Sequence, residues 1–193
     1  MTHLEIEYKT LLNKDEFKRL TAHFSHIPQI TQTNYYFDSH DFSLKAHRML
    51  LRIRTFSDRA ELTLKLPKTV GNLEYNHHLT LPQAKEIIKS GHLPPCSIRE
   101  LIGEQGVNPD DLAVFGHLTT DRRESQTAIG LLALDCNHYT NIKDYELELE
   151  VKDADSGKKD FAEFLVQHDI AFKYAKSKIA RLTNSLKAVK KLK

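Results

Sequence analysis

Apolar and charged residues alternate strictly at the start of the chain. Leu4, Ile6 and Tyr8 fall on one side, and Glu5, Glu7 and Lys9 on the other. A period of two is the signature of a β-strand, whose successive side chains point to opposite faces. The pattern returns at residues 145–150, where Glu146, Glu148 and Glu150 form one row and Tyr145, Leu147 and Leu149 the other. Along a strand, i and i+2 lie roughly 6.5–7 Å apart. A row of carboxylates at that spacing is costly unless solvent screens it or a cation neutralises it.

The same reading extends down the chain. Asn13 with Glu16 three residues on predicts a capped helix with Phe17, Leu20 and Phe24 as its apolar stripe, broken at Pro28. Residues 32–38 read as a strand and residues 39–47 as polar and irregular. Residues 49–55 and 60–66 form a hairpin through residues 56–59. Its apolar rows are Leu51 and Ile53 against Leu62, Leu64 and Leu66; its polar rows are Arg52 and Arg54 against Glu61, Thr63 and Lys65. Pro67 ends the pairing, and residues 73–81 offer a further strand. Thr80 caps a helix running through Pro82, Ile87 and Ile88 to Gly91, and Ser97 with Glu100 forms a capping box for a second, ending at Gly103 or Gly106. Residues 113–125 and 129–139 read as an antiparallel pair with Gly130 near the turn, and Asn141 turns the chain into the acidic strand, residues 144–152. A helix after Ser156-Gly157 carries Phe161, Phe164 and Leu165; the last, from about Ser177, carries Ile179, Leu182, Leu186 and Val189.

About eight mostly antiparallel strands with four or five helices make an α+β protein of one domain, residues 1–193. The plain reading of its polar faces is that each lies in water. Yet at least five strands carry charge at i and i+2, and the charge segregates: acidic on the first and the 146–150 strands, basic on the Arg52–Arg54 strand. The other reading is a β-barrel with a charged interior and apolar outer faces covered by helices. Eight strands close a barrel wide enough for side chains or one small ligand. Acidic and basic walls suit an anionic ligand held with a divalent metal, because Mg²⁺ takes carboxylate oxygens and bridges them to phosphates while Arg and Lys clamp the rest.

Composition narrows this little. At 40% hydrophobic and 28% charged residues the chain is that of an ordinary globular protein, and a net charge of +2 does not indicate a dedicated nucleic-acid binder. Cys96 and Cys136 lack metal-ligand spacing and read as reduced, partly buried small hydrophobes. No His-x-x-x-His pair or cysteine partner supports a transition-metal site at His77-His78. No apolar run approaches the roughly 20 residues of a membrane span, and the start is no signal peptide, so a cytoplasmic protein is expected. There is no glycine-rich phosphate loop, so phosphate binding would fall to side chains. Tyr35, Tyr36 and Phe37 read as wall or core residues, and Lys187, Lys190, Lys191 and Lys193 as a solvated helix end.

Taken in order, several blocks resemble the CYTH, or triphosphate tunnel metalloenzyme, family over essentially the whole chain. They are Glu5-Ile-Glu7-Tyr-Lys9, Asn34-Tyr-Tyr-Phe-Asp38, Leu51-Arg-Ile-Arg54, Leu62-Thr-Leu-Lys65, Thr120-Asp-Arg122, Leu132-Ala-Leu-Asp135, Asp144-Tyr-Glu-Leu-Glu-Leu-Glu150 and Lys176-Ser-Lys178 with Arg181. The chain looks most like the small stand-alone bacterial members. The resemblance implies a tunnel of eight antiparallel strands that hydrolyses a small-molecule triphosphate with Mg²⁺ or Mn²⁺. It implies metal ligands at Glu5, Glu7, Glu148 and Glu150 with Asp135 and Glu146 close by. It also implies triphosphate binding by Lys9, Arg52, Arg54, Lys65, Arg122, Lys178 and Arg181, with Arg123 adjacent to the chosen Arg122. Glu7, Glu148 and Lys9 would be catalytic, a carboxylate positioning the water. A class IV-type adenylyl cyclase would need the same walls, and a non-catalytic polyphosphate or nucleotide binder would not need the carboxylates.

Overall fold

A computed structural model describes residues 2–191. Eight strands run through it: β1 (Thr2–Leu12), β2 (Gln29–Asp38), β3 (Leu50–Thr55), β4 (Ala60–Pro67), β5 (Asn72–Leu79), β6 (Ala113–Thr127), β7 (Gly130–Tyr139) and β8 (Ile142–Val151). They close an antiparallel barrel in the order β1-β5-β4-β3-β2-β6-β7-β8. Six helices accompany them: α1 (Lys14–His23), α2 (Ser43–Ala46), α3 (Leu81–Ser90), α4 (Ser97–Glu104), α5 (Ala154–Gln167) and α6 (Lys178–Lys191). None is long and apolar enough to cross a membrane. The α+β barrel expected from the alternation is therefore present.

The chain divides into two compact units, one built from the first residues of β1 and Gln32–His117, the other from Glu5–Thr31 and Leu118 onward. In the first unit, Leu51 and Ile53 of β3 pack with Leu62 and Leu64 of β4, all fully buried, beneath Ala84 and Ile87 of α3 and Ile98 and Ile102 of α4. Tyr36 and Phe37 are 1% exposed, as the wall-residue reading requires. The opposite face follows from the register: Arg52 pairs with Tyr36 and Thr63, Arg54 with Asn34 and Glu61, and Lys65 with Glu74.

In the second unit, Leu132 and Leu134 of β7 and Leu147 and Leu149 of β8 pack against Leu20 and Phe24 of α1 and Phe161 and Leu165 of α5. Their alternates form the other face, with Glu7 opposite Glu150, Lys9 opposite Glu148, Asp135 opposite Glu146 and Arg122 opposite Asp135. The α1 cap forms as expected: the Asn13 side chain accepts from the Glu16 N–H at 2.8 Å, and the Glu16 carboxylate accepts from the Asn13 N–H at 2.7 Å.

Three local expectations fail. Residues 39–47 contain the short helix α2, because Asp38 accepts hydrogen bonds from the Leu44 and Lys45 N–H groups and organises the turn. Helix α4 begins at Ser97 itself, with Cys96 at the cap and no side-chain cap bond, so Ser97 and Glu100 form no capping box. Helix α5 begins before Ser156-Gly157: Asp153 is its cap, and Gly157 lies within it, where Val151 packs against the glycine. Of the terminal lysines, Lys187 is exposed; Lys193 and the side chains of Lys190 and Lys191 lie outside the described residues.

Candidate active site

The polar face of the second unit is a network of buried charge. On β6, Arg122 makes a bidentate pair with Asp135 of β7, Nε and Nη2 each donating at 2.7 Å. Its Nη2 also donates to Glu148 at 2.5 Å, and its Nη1 to Glu124 at 3.0 Å. Arg123 faces the other way, donating to the Ile27 carbonyl. The alternation of β6 thus puts Arg122, and not Arg123, in this charged network.

Helix α6 supplies two more cations from one face, three residues apart. The Lys178 ammonium sits among three carboxylates, 2.8 Å from Asp135, 3.1 Å from Glu146 and 2.5 Å from Glu148. Arg181 reaches Glu146 at 2.5 Å and Asp144 at 3.1 Å. Two carboxylates thus anchor Arg181. On β1, Lys9 bonds Glu7 and lies across from Glu148. Asn137 donates to Asp144 at 3.0 Å, and the Tyr139 hydroxyl donates to the same carboxylate at 2.6 Å.

Ionisation follows from this packing. Burial alone would raise Glu148 and Asp135, but the surrounding cations prevail. Lys178, Arg122 and Lys9 hold Glu148 well below the usual carboxylate range, and Arg122 and Lys178 lower Asp135. Burial would likewise weaken Lys178 and Lys9 as cations, yet their carboxylate neighbours raise both. All four groups stay charged at neutral pH.

Does this donor set suit a divalent metal? Carboxylate oxygens of Asp135, Glu146 and Glu148 lie within 4.8 Å of one another, an all-oxygen set of the kind Mg²⁺ and Mn²⁺ take. The cation among them in this structure is the Lys178 ammonium, so a metal there would share or displace it. Farther along the same face Glu7 stands directly opposite Glu150, with Glu5 next on the Glu7 row. Like charges directly opposed across strands are destabilising unless a cation lies between. The Lys9 ammonium already bonds Glu7; the residues fit a divalent ion as an all-oxygen donor set, gathered within 4.8 Å at Asp135, Glu146 and Glu148.

On the first unit, the expected Arg52, Arg54 and Lys65 share the polar face, and Arg54 donates to Asn34 at 3.0 Å. The Arg52 Nε is buried with no hydrogen-bond partner among the described residues, a donor suited to an anion. Sequence reasoning missed Glu74, 8% exposed and paired with Lys65 at 2.5 Å. Burial pushes its carboxyl up, but Lys65, Arg52 and Arg54 together bring it down to about 2. The signal was present in the alternation of Leu73, Glu74, Tyr75 and Asn76, read only as a strand.

Comparison with known proteins shows the family. A Bacillus subtilis (strain 168) protein, "Putative triphosphatase YjbK", is 35% identical over 184 residues, covering 92% of this chain and 93% of that protein. A crystal structure of a "putative adenylate cyclase" from Bacillus halodurans superposes with a TM-score of 0.87 at 34% identity, covering 93% of this chain and 97% of that one. A Hippeastrum protein, described as a "putative adenylyl cyclase" with a dominant triphosphatase activity, shares the fold with a TM-score of 0.80 at 24% identity, over 94% and 96% of the two chains. The CYTH domain family model matches residues 3–183. The chain belongs to the CYTH domain family.

Proposed function

We propose that the protein hydrolyses a triphosphate compound, inorganic triphosphate or a nucleoside or thiamine triphosphate, with Mg²⁺ or Mn²⁺. The observation that carries the reading is the buried network of Lys9, Arg122, Lys178 and Arg181 with Asp135, Glu146 and Glu148. Packing alone does not call for so much desolvated charge, since apolar residues of similar volume serve a core at least as well. The relative named for a triphosphatase supports it.

Glu5, Glu7 and Glu150, with Asp135, Glu146 and Glu148, would hold the metal. When bound, it neutralises phosphate charge and polarises the oxygens of the group being transferred. The rest of the chemistry belongs to side chains. Lys9, Arg122, Lys178 and Arg181 would bind phosphate oxygens and stabilise the charge that develops as the anhydride bond breaks; Arg52, Arg54 and Lys65 would be phosphate-binding cations of the same kind on the other unit. Arg122 enters already oriented by Asp135, so little side-chain entropy remains to be lost on binding. Glu148, held ionised, is too weak a base to take a proton at neutral pH; its role, or that of Glu7, is to orient the attacking water.

The Bacillus halodurans relative keeps one other reading open, attack by the ribose 3′-oxygen of ATP to give a cyclic nucleotide. Product analysis separates the two. Hydrolysis of ATP with Mn²⁺ or Mg²⁺ yields ADP and orthophosphate, whereas cyclisation yields cyclic AMP and pyrophosphate. We expect orthophosphate; cyclic AMP with stoichiometric pyrophosphate would replace the hydrolase reading.

A further inference from the structure

A second group of metal-ligating side chains lies on the opposite face of β6 and β7. Cys136 is on the same face of β7 as Leu134, and its cross-strand neighbour on β6 is Asp121. His138 follows two residues later on that face. The Cys136 Sγ lies 3.3 Å from the His138 Nε2, which lies 3.7 Å from the Asp121 Oδ2. The three donor atoms all fall within 4.8 Å of one another. A tetrahedral ion with bonds of roughly 2.0–2.3 Å sets its ligands about 3.3–3.8 Å apart, a range that contains both separations.

We propose that Asp121, Cys136 and His138 form a site for a thiophilic divalent cation of the Zn²⁺ class, separate from the carboxylate site. Sulfur and imidazole ligands select Zn²⁺ over Mg²⁺, whose preference is for oxygen alone. Three protein ligands leave the fourth position to water, and His138 and Asp121 are exposed enough to admit it, with side chains 41% and 30% accessible. The Asp121 carboxylate is already oriented: its Oδ1 accepts from the Thr31 hydroxyl at 2.6 Å, which leaves Oδ2 toward His138. Binding transfers the thiol proton to solvent, a step that burial opposes and the neighbouring Lys143 ammonium favours. The sequence hides the site because a Cys-x-His pair on a strand gains its third ligand only from the neighbouring strand.

Co²⁺ tests the assignment, since only a thiolate ligand gives it an intense near-ultraviolet charge-transfer band. The intact protein, with Mg²⁺ in excess to occupy oxygen sites, is titrated with Co²⁺ and then with Zn²⁺. The band should saturate at one equivalent, disappear on Zn²⁺ addition, persist in Cys96→Ser and be absent in Cys136→Ser. His138→Ala, a change at a partly exposed position that keeps the thiol, should weaken Co²⁺ binding at least tenfold. No band in the unaltered protein, or undiminished affinity in His138→Ala, overturns the proposal.

Discussion

Glu74 shows how one carboxylate can link acid stability to the site. Its folded pKa of about 2 lies below the ordinary 4.5, so its contribution is complete above pH 4.5 and fades as the pH falls through about 2. The difference corresponds to stability on the order of 3 kcal/mol. Glu74→Gln should therefore be less stable at neutral pH, and its stability should fall less steeply than that of the unaltered protein between pH 4.5 and 2. Urea unfolding across that range checks this; parallel curves would contradict it. Residue by residue, legibility follows the period-two pattern. It identified the Glu146–Glu150 row, and the family resemblance pointed to Arg122 and Lys178, but neither shows who pairs with whom. Lys178 lies 30 positions from Glu148 in sequence, and nothing local records their contact. Cys136 and His138 were passed over for the same reason.

The elements were read well where each side chain meets a fixed period or a cap made within one turn. The Asn13 and Thr80 caps and the β3–β4 hairpin are examples. Reading failed where a tertiary neighbour decides. Ser156-Gly157 looks like a helix start, but the glycine is inside α5 because Val151 at the end of β8 needs the room. A Cβ there would lie 2.5 Å from a Val151 methyl. Alanine normally favours a helix over glycine by about 1 kcal/mol; here Gly157→Ala should instead cost about 1–3 kcal/mol through overpacking. Thermal unfolding reads this directly. In a Val151→Ala background the loss should shrink but not vanish, because the Cβ of residue 151 would still lie 2.8 Å away, and equal losses in both backgrounds would refute the packing argument.

At the scale of the molecule, eight strands closing in one order turn alternate residues into an apolar face under helices and a charged face within the barrel. That inversion was legible because the charges recur at i and i+2 on strand after strand. What was not legible is how completely the chain compensates its own charge. The row Glu146 and Glu148, which by its spacing calls for a cation, is already held by Lys178, Arg122 and Arg181. On the proposed function, substrate and metal would enter a prearranged network, as electrostatic catalysis requires. The most direct test is orthophosphate release from tripolyphosphate with Mg²⁺ or Mn²⁺, set beside the Glu5→Gln/Glu7→Gln variant. Release that depends on the metal and falls by about 100-fold or more in the folded variant is the predicted result. Absence of release with either metal, or undiminished release in the variant, would contradict a triphosphatase built on these carboxylates.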